Sequence, residues 1–380
     1  MKTDLHVKRR LGAIAAGVAA FALFVLLSRA PSIAELVYGG LGPTVSSSLS
    51  RITGIVPFSL AEVVIVAFVG RQLWSLARGW REVRHKDRPL GNALAGGALR
   101  FGSDLGIAVA LFYVLWGFNY ARPPLEGRVG WDSSDIRNEE VAVLAEELVE
   151  AANFAYVTLR GSEDGGTPTV PPTEWKGMEN ALAGGWTTAG LAVGPFPLWD
   201  FGYGRPKPLI ASRLVDYLGI SGFYFPWTGE ANFNAGMPAM TQPHAIAHEI
   251  AHQRGFARED EANFVGYLVA AAADDDFSRY SAYLFAQRQL LNAMAGADRE
   301  GAIALARRRF PGVQRDIDAI REYWAQFEGP AREAARKVND AHLRANRVPG
   351  GVLNYDRSVE LLVAYSRSRG GWLLRKERSP

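Results

Sequence analysis

The chain has no cysteine among its 380 residues. That excludes a disulfide framework and any thiolate-bound metal, so a metal site here must draw on histidines and carboxylates. Histidine is itself scarce, at six residues, and any two of them at ligand spacing stand out. An excess of charge is lacking too. The formal net charge is +3 and the basic residues are mostly interleaved with acidic ones, which removes the footprint of a nucleic-acid binder. No internal repeat of fixed period is present, and long apolar runs are missing after about residue 120.

Before that point apolar runs dominate. The length exceeds the roughly 100–200 residues of one domain, and the asymmetry predicts a transmembrane anchor over residues 1–118 followed by a soluble domain over 119–380. Three spans are expected, at about 11–28, 55–76 and 101–118, each near the ~20 residues that cross a bilayer core. Lys8, Arg9 and Arg10 precede the first span, and no small-x-small cleavage site follows it, so it reads as an anchor and not as a removed leader. Arg78, Arg81, Arg84, Lys86 and Arg88 lie between the second and third. Basic loops stay cytoplasmic, which predicts a multi-pass inner-membrane protein with its N-terminus inside and the domain outside. Glu62 and Asp104 fall at membrane depth and raise the alternative of a transport pathway; each is expected within two turns of a span end, where a carboxylate reaches the interface.

The soluble part is expected to be mainly α-helical with at most a small β-sheet. Residues 139–159 carry apolar Val141, Leu144, Leu148 and Ala151 on one helical face. From Pro243 onward the pattern is helical, including one long helix over 312–338. The segment Gly222-Phe223-Tyr224-Phe225-Pro226-Trp227 reads as a short strand, and Pro226 argues for a sheet edge. Such a strand either aligns a peptide by edge pairing or belongs to the core.

The segment His248-Glu249-Ile250-Ala251-His252 concentrates the chemistry. Pro243 fits a first helical turn, so His248 and His252, four residues apart, share a face and can bring two imidazole nitrogens to one zinc. Glu249 beside them is placed to take a proton from a zinc-activated water. Gly255 can end the helix in the left-handed conformation and turn the chain back. A carboxylate from the next helix then supplies the third ligand. Glu259 is preferred, because it opens a Glu-x-x-Ala-Asn pattern in which Asn263 can support a ligand; Glu261 is the rival. His244, one turn before His248, reads as a supporting residue, and His342 and His85 read as ordinary surface or interface residues. Tyr355, in Asn354-Tyr355-Asp356-Arg357, is a candidate oxyanion stabiliser.

These segments, together with Trp116-Gly117-Phe118-Asn119-Tyr120-Ala121-Arg122 and Pro226-Trp227-Thr228-Gly229-Glu230-Ala231-Asn232, resemble a bacterial family of membrane proteins known as a domain of unknown function, with three spans and a zincin-like HExxH domain. Glu-x-x-Ala-Asn is also similar to the Glu-x-x-Ala-Asp of membrane-bound gluzincin peptidases. That resemblance implies His248, His252 and Glu259 as zinc ligands, Glu249 as base and a functional Tyr355. The expectation is a zinc metallopeptidase acting on a peptide or protein in the envelope, approached from water. The competing expectation is a non-catalytic envelope scaffold or sensor whose metal only staples helices.

Overall fold

A computed structural model of the chain describes residues 2–85, 89–172, 176–193, 202–351 and 357–374. The chain is mainly helical. Its N-terminal part holds α1 (Lys2–Leu27), α2 (Pro31–Thr53), α3 (Leu60–Arg84) and α4 (Leu90–Leu115). Of these, α1 from Leu5, α3 and α4 are long and apolar enough to cross a membrane. α1 and α4 meet at backbone distance: a Cβ on Gly17 would stand 2.7 Å from the Gly106 carbonyl oxygen, so only small residues fit the crossing. α3 is tied to α4 by a bidentate Arg71–Asp104 pair at 2.8 and 3.0 Å, joined by Gln72 at 3.0 Å.

Two of these helices differ from expectation. α4 begins eleven residues before the apolar run at 101, because Gly91-Asn92-Ala93 and Arg100 lower the hydropathy without interrupting the helix. Asp104 is therefore mid-helix and not near an end, and its carboxylate is committed to Arg71 and Gln72. Glu62 accepts the backbone N–H groups of Ile210 and Ala211 at 2.9 and 2.8 Å. Both carboxylates thus have structural partners. α2 is the second difference. The sequence reading assigns this stretch no element; it is helical, with its polar side packed inward. Ser46 donates to the Gln253 carbonyl at 2.6 Å, Gln253 donates to Ser50 at 2.8 Å, and Thr53 donates to the Thr228 carbonyl at 2.8 Å. Ile33, Leu36, Val37, Leu41 and Ile52 are left exposed on the other side, the reverse of an ordinary surface helix.

After α4 the chain tightens into a 3-10 turn (Gly117–Ala121) and short α5 (Leu125–Val129), then α6 (Asn138–Arg160) and α7 (Lys176–Val193). β1 (Lys207–Pro208), α8 (Ser212–Asp216), β2 (Gly222–Phe225) and β3 (Glu230–Phe233) follow. The strands form one sheet in the order β1-β3-β2, parallel for β1–β3 and antiparallel for β2–β3, which places β2 at an edge as Pro226 suggests. The remaining helices are α9 (Gln242–Gln253), α10 (Glu259–Ala271), α11 (Asp276–Ala297), α12 (Arg299–Ala306), α13 (Pro311–Ala325), α14 (Pro330–Ala345) and α15 (Ser358–Ser368). The single helix expected over 312–338 is two. Pro330 lacks an N–H and its ring excludes the preceding turn, so it starts α14 afresh after Gly329.

Leu144, Leu148 and Tyr156 of α6, Ile246 and Ala247 of α9, Phe264, Val265 and Tyr267 of α10 and Tyr280 and Leu284 of α11 form the main core. A second apolar cluster joins Phe24, Tyr38, Tyr113, Trp116 and Phe118 to Tyr224, Ala257 and Leu343. The apolar helices and the following domain therefore share one packed interface. Glu230 reinforces it: buried with Lys207, it accepts the Leu60 and Ala61 N–H groups at 3.3 and 2.8 Å and so caps α3 from the sheet.

Candidate metal centre

α9 carries His248, Glu249 and His252, all buried. The helix starts with Pro243 in its first turn and ends at Arg254. Gly255 follows at φ +91°, where a side chain would be strained, and a Cβ there would meet Asn119 Oδ1 at 2.9 Å. This turn brings the Phe256 carbonyl to 2.7 Å from His252 Nδ1. A carbonyl only accepts, so Nδ1 carries the proton and a neutral His252 turns a bare Nε2 toward the site. Trp116 Nε1 donates to the His252 carbonyl at 2.7 Å, fixing the end of α9 to the end of α4.

α10 crosses α9 closely because Gly266 faces the His248 backbone, where a Cβ would stand 3.0 Å from its nitrogen. The crossing sets Glu259, the first residue of α10, against both imidazoles: its Oε2 lies 3.3 Å from His248 Nε2 and 3.4 Å from His252 Nε2. Glu261 points elsewhere, accepting the Leu125 N–H at 2.9 Å and the buried Arg128 guanidinium at 2.8 Å. Of the two acidic candidates, the structure brings Glu259 to the histidines.

The remaining candidates separate as clearly. Glu249 has an oxygen within 4.8 Å of both imidazoles, while the Tyr224 N–H of β2 donates to its carboxylate. Gly222 makes room for that approach, since a Cβ there would lie 2.7 Å from Glu249 Cγ and 2.7 Å from the Asn232 carbonyl oxygen. His244 stacks on Phe285, and its Nε2 donates to the Asn263 carbonyl at 3.2 Å. Burial holds it down at about 3, so it stays neutral and turned from the cluster. Asn263 supports the site through that carbonyl. His85 is exposed at the end of α3. Tyr355 lies outside the described residues.

Electrostatics favour a cation among these groups. Burial pushes the Glu249 carboxyl up to about 7, against the opposing pull of His248 and His252. Burial would lower His252, but the Glu259 carboxylate outweighs it and raises the imidazole to about 9. Burial would raise Glu259, and the two imidazoles more than reverse it, holding the carboxyl well below the usual carboxylate range. Apart from these two imidazoles, Glu259 Oε2 has no hydrogen-bond donor among the described residues. Two imidazole nitrogens and a carboxylate oxygen converging in this way need a proton or a metal ion between them, and the donor set suits a divalent ion of the zinc type.

The sequence reading missed what faces this cluster. A continuous cavity of about 2310 Å³ opens from His248, Glu249, His252 and Glu259, with Tyr120 and His342 on its wall. The Tyr120 hydroxyl is 3.5 Å from His342 Nε2, and both groups feel the Glu259 charge. Tyr120 belongs to a motif already singled out. His342, on α14, has no local pattern that could have flagged it.

Neither a curated protein nor a solved structure gives a significant match to the chain. Residues 38–363 match the family described as "Protein of unknown function (DUF3810)", and the chain belongs to that family.

Proposed function

We propose that this protein is a membrane-anchored, zinc-dependent hydrolase of peptide bonds. One observation carries the reading. Ligand atoms about 2.0–2.1 Å from a tetrahedral zinc stand about 3.3–3.4 Å apart, and Glu259 Oε2 meets both imidazole nitrogens at that separation, 3.3 and 3.4 Å. His248, His252 and Glu259 would hold the ion where they line the cavity. A bound zinc supplies a Lewis acid and lowers the pKa of water to about 7.

The chain's own residues do the rest. Glu249, buried with one carboxylate oxygen lacking a hydrogen-bond partner among the described residues, is placed to accept a proton from the attacking water and to release it. The water oxygen adds to the carbonyl carbon, the C–N bond breaks, and the proton leaves on the amine. Tyr120 and His342 stand on the cavity wall where a developing oxyanion can be steadied. The basic clusters flanking the spans favour a cytoplasmic N-terminus and a domain on the outer side.

The alternative of a purely structural metal is less well supported, because structural zinc sites are closed by four protein ligands and His244, one turn before His248, is tied to Asn263. The test is Glu249→Gln in the purified full chain, with zinc content and hydrolysis of a quenched-fluorescent peptide library measured together. Zinc should remain near one per chain and turnover fall by about 10²–10⁴. Unchanged turnover in the zinc-loaded variant refutes the reading.

A further inference from the structure

Resting on that peptidase reading, we propose that the substrate is a membrane-anchored polypeptide whose transmembrane segment lodges against α3 and α4 and whose adjoining extended segment runs along β2 to the metal centre. The cavity at the centre does not stop at the domain. It continues along α3 and α4, with α14 also on its wall, as far as Arg71 and Asp104. Each is eleven residues from the near end of its helix, about 16 Å at 1.5 Å per residue, close to the middle of the helix. Its volume of about 2310 Å³ exceeds the roughly 300–1,000 Å³ of small-molecule pockets.

The walls from α3 and α4 match such an occupant, while α14 brings the polar Arg332, Glu333, Arg336 and Asn339. Val64, Ile65 and Phe68 of α3 and Leu105 of α4 turn exposed apolar surface into the space. Higher up, the ladder pairs Ser221 with Asn234, and the register then pairs Phe223 with Asn232. The N–H and C=O groups of Gly222 and Tyr224 therefore point to the open edge of β2, where the Tyr224 N–H already reaches Glu249. An edge strand of that kind recognises an extended peptide backbone, which a lipid does not offer. Trp116, one residue beyond the end of α4, holds the His252 carbonyl, and α2 exposes an apolar face. The centre thus sits where a chain leaves the bilayer, not on a surface reached only from bulk water.

The test uses zinc-loaded full-length protein in lipid nanodiscs with a library of randomised twelve-residue peptides, offered free or fused to a single Leu/Ala transmembrane span. The fused form should be cleaved at least about tenfold faster. Ile65→Trp, which fills the crevice, should reduce the fused-to-free ratio by about tenfold. Val66→Trp, at the same depth on the face of α3 away from the crevice, should leave the ratio unchanged. Zinc content and thermal unfolding confirm that each variant folds. Equal cleavage of both forms, or equal effects of the two tryptophans, overturns the proposal while the peptidase reading stands. Release of fatty acid or headgroup in place of peptide fragments assigns the crevice to a lipid and also overturns it. Cleavage of neither form removes the peptidase reading and this proposal together.

Discussion

Glu259 and Glu261 sit two residues apart in the first turn of α10, both buried, and the same substitution should do opposite things to them. Glu→Gln removes a charge with little change in volume. At Glu259 the loss should fall on the metal. Apparent zinc binding of about 10–16 kcal/mol in four-ligand structural sites is about 2.5–4 kcal/mol per ligand, so Glu259→Gln should weaken zinc about 10²–10³-fold at ~1.4 kcal/mol per decade. At Glu261 the loss should fall on the fold. Its partner Arg128 is 4% exposed, as is Glu261 itself, and leaving a buried guanidinium without its counter-charge costs about 3–5 kcal/mol. Glu261→Gln should therefore unfold at markedly lower temperature while binding zinc almost as tightly as the unsubstituted protein. Competition against a chromophoric chelator reads the first quantity, and thermal unfolding of zinc-free and zinc-loaded protein reads the second. Unweakened zinc binding in Glu259→Gln, or lost zinc with undiminished stability in Glu261→Gln, would refute the assignment of the two carboxylates.

Three further outcomes follow from the same geometry. His252 must lose its proton to bind a metal, and because Glu259 holds that imidazole at about 9 the proton competes throughout the neutral range. Apparent zinc affinity should then rise about tenfold per pH unit between pH 6 and 8 and level off above the imidazole pKa; an affinity independent of pH over that range contradicts it. Gly222→Ala should lower turnover by at least about tenfold with zinc retained, since the new Cβ would stand 2.7 Å from both Glu249 Cγ and the Asn232 carbonyl; full activity would show that the Glu249 position is not tightly set. Gly255→Ala should cost about 1–2 kcal/mol in the left-handed region and weaken zinc about 10–100-fold by displacing the Phe256 carbonyl from His252, both readable in one zinc titration followed by melting.

What could be read from the sequence was local. His248 and His252 share a face because backbone geometry alone fixes residues four apart, and Gly255 signals the reversal that brings Glu259 back. Pro226 marks an edge because it cannot complete a ladder. The missed features depend on partners distant in the chain. α2 hides its polar side against Gln253 and Thr228, so a pattern search for a buried apolar stripe passes over it. α4 continues through a glycine-rich, weakly apolar stretch that hydropathy leaves out. Glu259 and Glu261 were separable only once α5 was seen to claim one of them, and His342 approaches Tyr120 across 222 positions of sequence.

The surroundings of Glu249 bear on the choice between the proposed catalyst and a scaffold. Glu249 Oε2 is buried without a hydrogen-bond partner among the described residues, and the carboxyl is forced up toward 7. An unsatisfied buried polar atom costs about 1–3 kcal/mol. On the proposed His248–His252–Glu259 ligand set, a scaffold needing only a metal staple would be more stable with an apolar side chain at that position. A buried carboxyl with strained ionisation beside a candidate metal site is the arrangement that proton transfer uses. Glu249→Leu should accordingly raise the melting temperature of the zinc-loaded protein while abolishing hydrolysis, a trade that a structural metal site gives no reason to expect.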